Sequence, residues 1–170
     1  MMTPSTPALF REEQRFSQPW LWLFIAGMDL VCAFAFLGPV AASGQMPPLR
    51  GGDIAAMVFT FLLCLAITLL FLLLKLTTEV RPEGLSVRFT PLMAKPVIIP
   101  FHTVKSYHIR TYRPILEYGG WGIKRGIGGR AYNVSGNKGL QLELNDGKKI
   151  LIGTRQPERL KLAVDGAANR

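Results

Sequence analysis

Two long apolar stretches, residues 20–40 (WLWLFIAGMDLVCAFAFLGPV) and 54–76 (IAAMVFTFLLCLAITLLFLLLKL), constrain this chain more than anything else in it. A helix needs about 20 apolar residues to cross roughly 30 Å of hydrocarbon. Both stretches reach that length. The second has no charge before Lys75, and the first carries only Asp29. Trp20 and Trp22 open the first stretch, where indoles favour the headgroup layer. Lys75 near the end of the second can lay its stem in apolar surroundings while the ammonium reaches water. Residues 41–53 between them are short and rich in Gly and Pro. The two helices therefore form an antiparallel hairpin whose ends face one side.

Charge divides the chain at the same place. Of its 20 Lys/Arg and 11 Asp/Glu, only Arg11, Arg15, Arg50 and Lys75 and Glu12, Glu13, Asp29 and Asp53 fall in residues 1–76. That half is neutral, and the whole net charge of +9 belongs to residues 77–170. This split excludes a uniformly soluble globule and a disulfide-rich secreted scaffold. Lys/Arg residues near helix ends favour the cytoplasm. The hairpin loop has only Arg50, whereas Arg11, Arg15, Lys75, Arg81, Arg88 and Lys95 flank the other ends. Both termini are thus expected in the cytoplasm, as in a two-pass protein of a bacterial inner membrane. Ala41-Ala42-Ser43 resembles a signal-peptidase site, but the apolar stretch before it exceeds the usual 7–15 residues of a signal peptide.

Asp29 is the expensive residue in the first stretch, since an acid at mid-bilayer costs about 2.5–3.5 kcal/mol on insertion scales. Antiparallel depth places it near Ile67, which makes Thr68 its expected hydrogen-bond partner. One reading is a carboxyl joining two helices. The other is a proton or ion relay, which the absence of a second ionisable group at that depth disfavours. Asp29→Asn separates the two readings. Cys32 and Cys64, the only cysteines, lie in the two stretches at similar depth. A disulfide is geometrically conceivable there, and packed thiols are the preferred reading. The cysteines have no metal-ligand spacing.

Residues 1–18 read as a loose cytoplasmic tail with a short interfacial turn near residues 10–16. After the hairpin (residues 19–76) the pattern changes to that of a β domain over residues 77–170. Residues 85–89 (LSVRF) alternate apolar and polar, as a half-buried strand does. A strand is expected just before them, around residues 78–81, with Arg81-Pro82-Glu83-Gly84 as the turn. Residues 97–112 are β-rich and interrupted at Pro100. Residues 139–144 and 148–152 alternate around Asn145-Asp146-Gly147, a hairpin signal because such turns demand positive φ. Thr154 suits a helix N-cap and Pro157 its first turn. A terminal helix over about 157–165 would present Leu160, Ala163 and Val164 and stop at Asp165-Gly166. The fold class is therefore α+β, mainly β: a two-helix hairpin, then a curled antiparallel sheet or barrel closed by a C-terminal helix.

The strand after a Gly turn (Gly84-Leu85-Ser86-Val87), Ile99-Pro100-Phe101 followed by Val104, the final hairpin and the closing helix resemble bacterial pleckstrin-homology-like (PH-like) domains. The resemblance covers roughly residues 77–166, and the preceding helical hairpin matches the layout of that family. It implies a binding or scaffolding role without a shared catalytic residue set. The Gly-rich middle, residues 117–139, departs from the usual members and points to a distinct subfamily.

That middle also carries the candidate contact residues. Trp121 with Lys124, Arg125 and Arg130 combines an aromatic with clustered positive charge. Such a patch suits anionic headgroups, where each Lys/Arg contributes about 1 kcal/mol, or a partner protein. Gly126-Ile127-Gly128-Gly129 has no helix pattern after it, so it is not read as a phosphate loop. A long hairpin is the structural alternative. His102 and His108 would lie about 20 Å apart along a continuous strand, too far for one metal or proton relay. No catalytic, cofactor-binding or metal-binding set emerges. Asn133-Val134-Ser135 is a glycosylation sequon in a domain expected inside the cell. The expected partners are the lipid bilayer and a protein or a second copy of the chain. Nucleic acid is not expected, and no small-molecule substrate is identified. The second class of function weighed is an enzyme at the membrane surface, or a small ion-handling protein using Asp29.

Overall fold

The computed structural model describes residues 7–44 and 50–168. The chain divides into two units. One is the apolar hairpin, Ser17–Leu73; the other is a β domain made of the residues up to Phe16 together with those from Leu74 on. The hairpin is thus an insertion into the β domain rather than a segment ahead of it.

Within the hairpin, α1 spans Pro19–Ser43 and α2 spans Gly51–Leu73. Both are long and apolar enough to cross a membrane. α1 extends beyond the expected 20–40 at both ends, and α2 is shifted toward the N-terminus from the expected 54–76. Pro19 sits in the first turn of α1, where its missing N–H costs nothing. Gly44 ends α1 in the left-handed conformation, its N–H donating to Val40 O at 2.8 Å. At the start of α2 the Asp53 carboxylate accepts from the Arg50 backbone N–H at 2.9 Å. This satisfies an orphan donor and places negative charge at the positive end of the helix. Part of the expected connection, residues 45–49, lies outside the described residues. Lys75 is not the end of a helix: it opens a strand.

The β domain begins where a tail was expected. Phe10–Arg15 forms β1, which pairs antiparallel with β2 (Lys75–Arg81) from Phe10↔Val80 to Arg15↔Lys75. Residues 1–6 of the expected tail lie outside the described residues. β2 starts earlier than residue 78 and turns at Arg81 into β3 (Gly84–Thr90), which pairs with β4 (Val97–Pro100). Pro100 then gives way to a single 3-10 turn, Phe101–Thr103, and β5 runs over Val104–Thr111. His102 lies in that turn and His108 in β5, so no continuous strand joins them.

A short helix α3 (Pro114–Tyr118), not expected from the apolar pattern, precedes the hairpin of β6 (Gly122–Gly126) and β7 (Gly129–Asn133). β8 (Lys138–Leu144) and β9 (Lys149–Gly153) follow, with Gly147 at φ 80° in the turn between them. The terminal helix α4 spans Pro157–Ala168 and runs past the expected stop, with Gly166 inside it. Its buried residues are Leu160, Val164 and Ala167, a helical stripe one turn longer than the sequence reading. Thr154 is not its N-cap: it lies ahead of the helix and accepts from the Gln156 N–H at 2.9 Å.

The strands form two sheets, β1-β2-β3-β4 and β5-β8-β9-β7-β6. The first is antiparallel throughout; the second is mixed, because β7 and β9 run parallel. The sheets do not close into a barrel, which corrects that expectation. α4 packs against β1, β2 and β3 of one sheet and β5 and β8 of the other. Leu76, Val80, Leu85, Val87 and Phe89 from the first sheet are fully buried, as are Leu140, Leu142, Leu151 and Ile152 from the second.

Candidate functional site

The β6–β7 hairpin carries the basic residues singled out in the sequence, and the structure sorts them. Arg125 and Arg130 lie directly across from each other in the ladder. Strand alternation puts Lys124 on the opposite face, opposite Ala131. Trp121 precedes β6, and its Nε1 donates to Gly136 O at 3.0 Å. Neither Trp121 nor Lys124 joins the two arginines.

Two other cations do. Because β7 pairs parallel with β9, Arg130 lies opposite Ile150. This brings the turn after β8 beside the tip of the β6–β7 hairpin. Arg125, Arg130, Lys148 and Lys149 line one groove of about 770 Å³, together with Ile127, Ile150, Gly129 and Gly147. Lys148 and Lys149 were read in the sequence only as the start of a strand. The parallel β7–β9 pairing, a long-range event, is what puts them in the site. Ile127 at the tip is 96% exposed. The exposed Ile127 and these four cations thus share one groove.

The backbone at the tip has little freedom. A Cβ on Gly126 would run into the carbonyl of Glu117 in α3, and one on Gly129 into the carbonyl of Lys149. Gly129 also sits at φ 94°. These glycines allow close approach of the hairpin to α3 and β9.

The groove's electrostatics are nearly all of one sign. The carboxylate that contributes to the same turn is Asp146, which accepts from Lys148 Nζ at 2.6 Å and from the Lys148 N–H at 3.0 Å. The Lys148 hydrogen bonds hold the Asp146 carboxyl below its ordinary value of 3.8. Arg130 Nη1 donates to Tyr132 Oη at 3.3 Å, which orients one wall. Ile127 and Lys149 also border a second cavity of about 370 Å³ with mixed charge, lined by His108, Arg110, Glu117, Gly128, Gln141 and Glu143. There Arg110 and Glu117 form an ion pair, so this cavity offers less unpaired charge than the groove.

Inside the apolar hairpin, Asp29 and Thr68 come together. Thr68 Oγ1 donates to Asp29 Oδ2 at 3.0 Å. One helical turn away on each helix, Cys32 and Cys64 bring their sulfur atoms to 2.9 Å, and both are free thiols. Among the described residues no group of three or more His, Cys, Asp or Glu could hold a metal ion.

The arrangement defines a class of protein: a two-sheet β module with a terminal helix, interrupted near its start by an apolar helical hairpin, and bearing a cationic groove. The sequence matches the family of unknown function DUF6141 over residues 1–169, and the chain belongs to that family. No curated protein matches it.

Proposed function

We propose that this protein is a membrane-anchored binding module, PH-like in kind, whose cationic groove takes up phosphate-bearing headgroups of anionic lipid. The groove formed by Arg125, Arg130, Lys148 and Lys149 around the exposed Ile127 carries the reading. Its cations suit an anionic surface, where a Lys or Arg contributes about 1 kcal/mol, with the charge of Lys148 offset by its ion pair with Asp146. An isoleucine at the tip adds apolar contact below the headgroups. The β module is the soluble-facing part, and the hairpin of α1 and α2 is its anchor in a bacterial cytoplasmic membrane. Both ends of the hairpin continue into β1 and β2, so module and termini share one side. The Lys/Arg distribution makes that side the cytoplasm. The Arg, Lys, Ile and Gly lining of the groove offers clustered charge and shape, which suits the binding of an anion.

The test is amine acetylation of the full chain in nanodiscs, read residue by residue by mass spectrometry. Lys148 and Lys149 should be protected in discs containing anionic lipid and modified freely in zwitterionic discs, with high salt removing the difference. The double variant R125A/R130A should weaken the protection of Lys148 and Lys149 without lowering the melting temperature. Equal acetylation in both kinds of disc would overturn the lipid reading. Protection seen only in native membranes would transfer the groove to a protein partner.

A further inference from the structure

The seam of the apolar hairpin holds a second constellation that the groove does not use. Cys32 lies three residues beyond Asp29 on α1, and Cys64 lies four before Thr68 on α2, so each pair shares a helix face. The four side chains meet across the seam, with the sulfur atoms 2.9 Å apart and the hydroxyl–carboxyl pair 3.0 Å apart. All four line a cavity of about 400 Å³ whose remaining walls are Ala33, Phe36, Leu37, Phe61 and Leu65. Cys64 is buried and Cys32 is half-buried.

We propose that Cys32 and Cys64 are a reversible dithiol–disulfide couple, a redox staple across the hairpin, oxidised by a lipid-soluble quinone that enters this cavity. A disulfide has its sulfur atoms at about 2.05 Å, so closure from 2.9 Å requires a displacement of less than an ångström. The two S–H bonds break and one S–S bond forms. Two electrons and two protons pass to the quinone, which leaves as the hydroquinone. The cavity selects this class of oxidant. Its walls are apolar apart from the Asp29–Thr68 edge, and two phenylalanines border it, so a flat uncharged ring fits where a charged soluble disulfide does not. The carboxyl and hydroxyl supply hydrogen-bonding groups for a quinone oxygen. Its volume lies in the range of small-molecule sites, roughly 300–1,000 Å³. Oxidation fixes the two helices to each other, and reduction frees them. The lipid-phase oxidant rests on the reading of the hairpin as membrane-spanning; the sulfur contact does not.

The experiment uses the full chain, reduced, freed of reductant without air and held in detergent micelles. Decylubiquinone is added, the loss of quinone absorbance is followed, and free thiols are then counted by alkylation after denaturation. Quinol should form in equal moles to protein, both thiols should disappear within one chain, and a reductant should restore them. C32S and C64S should each abolish the reaction while keeping the melting temperature of the β domain. Thiols that remain alkylatable overturn the proposal. So does a quinone adduct that reductant does not reverse, or a cross-link between two chains. A staple formed by a water-soluble oxidant but never by the quinone overturns the assignment of the cavity. Release of the protein from cell membranes by alkaline carbonate would instead sink the membrane-spanning reading, and it leaves the thiol count unaffected.

Discussion

Glu12 shows how one residue can decide a segment. It is 5% exposed, on a strand whose inward positions are Phe10, Glu12 and Gln14. Its carboxylate accepts from the Arg155 N–H at 2.9 Å and from the Thr154 hydroxyl. Gln14 Nε2 donates to Gly153 O at 2.8 Å. β1 is therefore fixed to the end of β9 by polar groups rather than by apolar packing. Removing one partner of a buried charged hydrogen bond leaves the others unsatisfied, at a cost of about 2–3 kcal/mol. E12A should lose that much stability in chemical denaturation, whereas T154S, which keeps the hydroxyl, should lose far less. A near-neutral E12A would show that the carboxylate adds nothing net. The same residue explains why the strand was missed: with Glu12 and Gln14 facing inward, no apolar alternation marks residues 10–15.

At the scale of elements, the β6–β7 hairpin is held by close backbone contact. Gly126 abuts the carbonyl of Glu117, and Gly128 lies against the Tyr118 hydroxyl. Tyr118 is buried and packs edge-on against Tyr112 with ring centroids 5.9 Å apart. Burial raises the pKa of both phenols. An added methyl at Gly126 must displace α3, an overpacking cost of about 1–3 kcal/mol. G126A should lower the melting temperature and expose Tyr118 to iodination, whereas G136A is set in open space at φ 72° and should disturb neither ring. Unchanged Tyr118 reactivity in G126A would mean that the tip does not depend on α3. The glycine content of this stretch was legible as a hairpin. Its contact with α3 and β9 was not, because close approach depends on where distant backbone lies.

At the scale of the whole molecule, the β domain is completed by a strand that precedes the hairpin. Arg15 pairs with Lys75, and Lys75 Nζ donates to Glu13 at 3.1 Å. Phe16 and Phe89 lie 6.3 Å apart between ring centroids, and Leu74 is buried. Replacing Ser17–Leu73 by Asn-Gly should therefore join β1 to β2 as an ordinary two-residue hairpin. That chain should be soluble, monomeric and cooperatively folded by circular dichroism and gel filtration. A chain starting at Leu74 lacks β1, exposes the edge of β2 and should aggregate. Equal solubility of the two would show that β1 is dispensable.

Sequence alone determined the features that depend on local composition: two apolar helices, the charge divide, the Asp-Gly hairpin, the start of the terminal helix and the pairing depth of Asp29 with Thr68. Each follows from side chains whose solvent preference or turn chemistry is set within a few residues. Tertiary structure decided the rest. It recruited β1 from across an insertion, left two sheets open around α4, and used a parallel strand pair to move Lys148 and Lys149 beside Arg125 and Arg130. Those outcomes depend on which distant backbones hydrogen-bond to one another, and a linear pattern of apolar and polar residues carries no record of that choice.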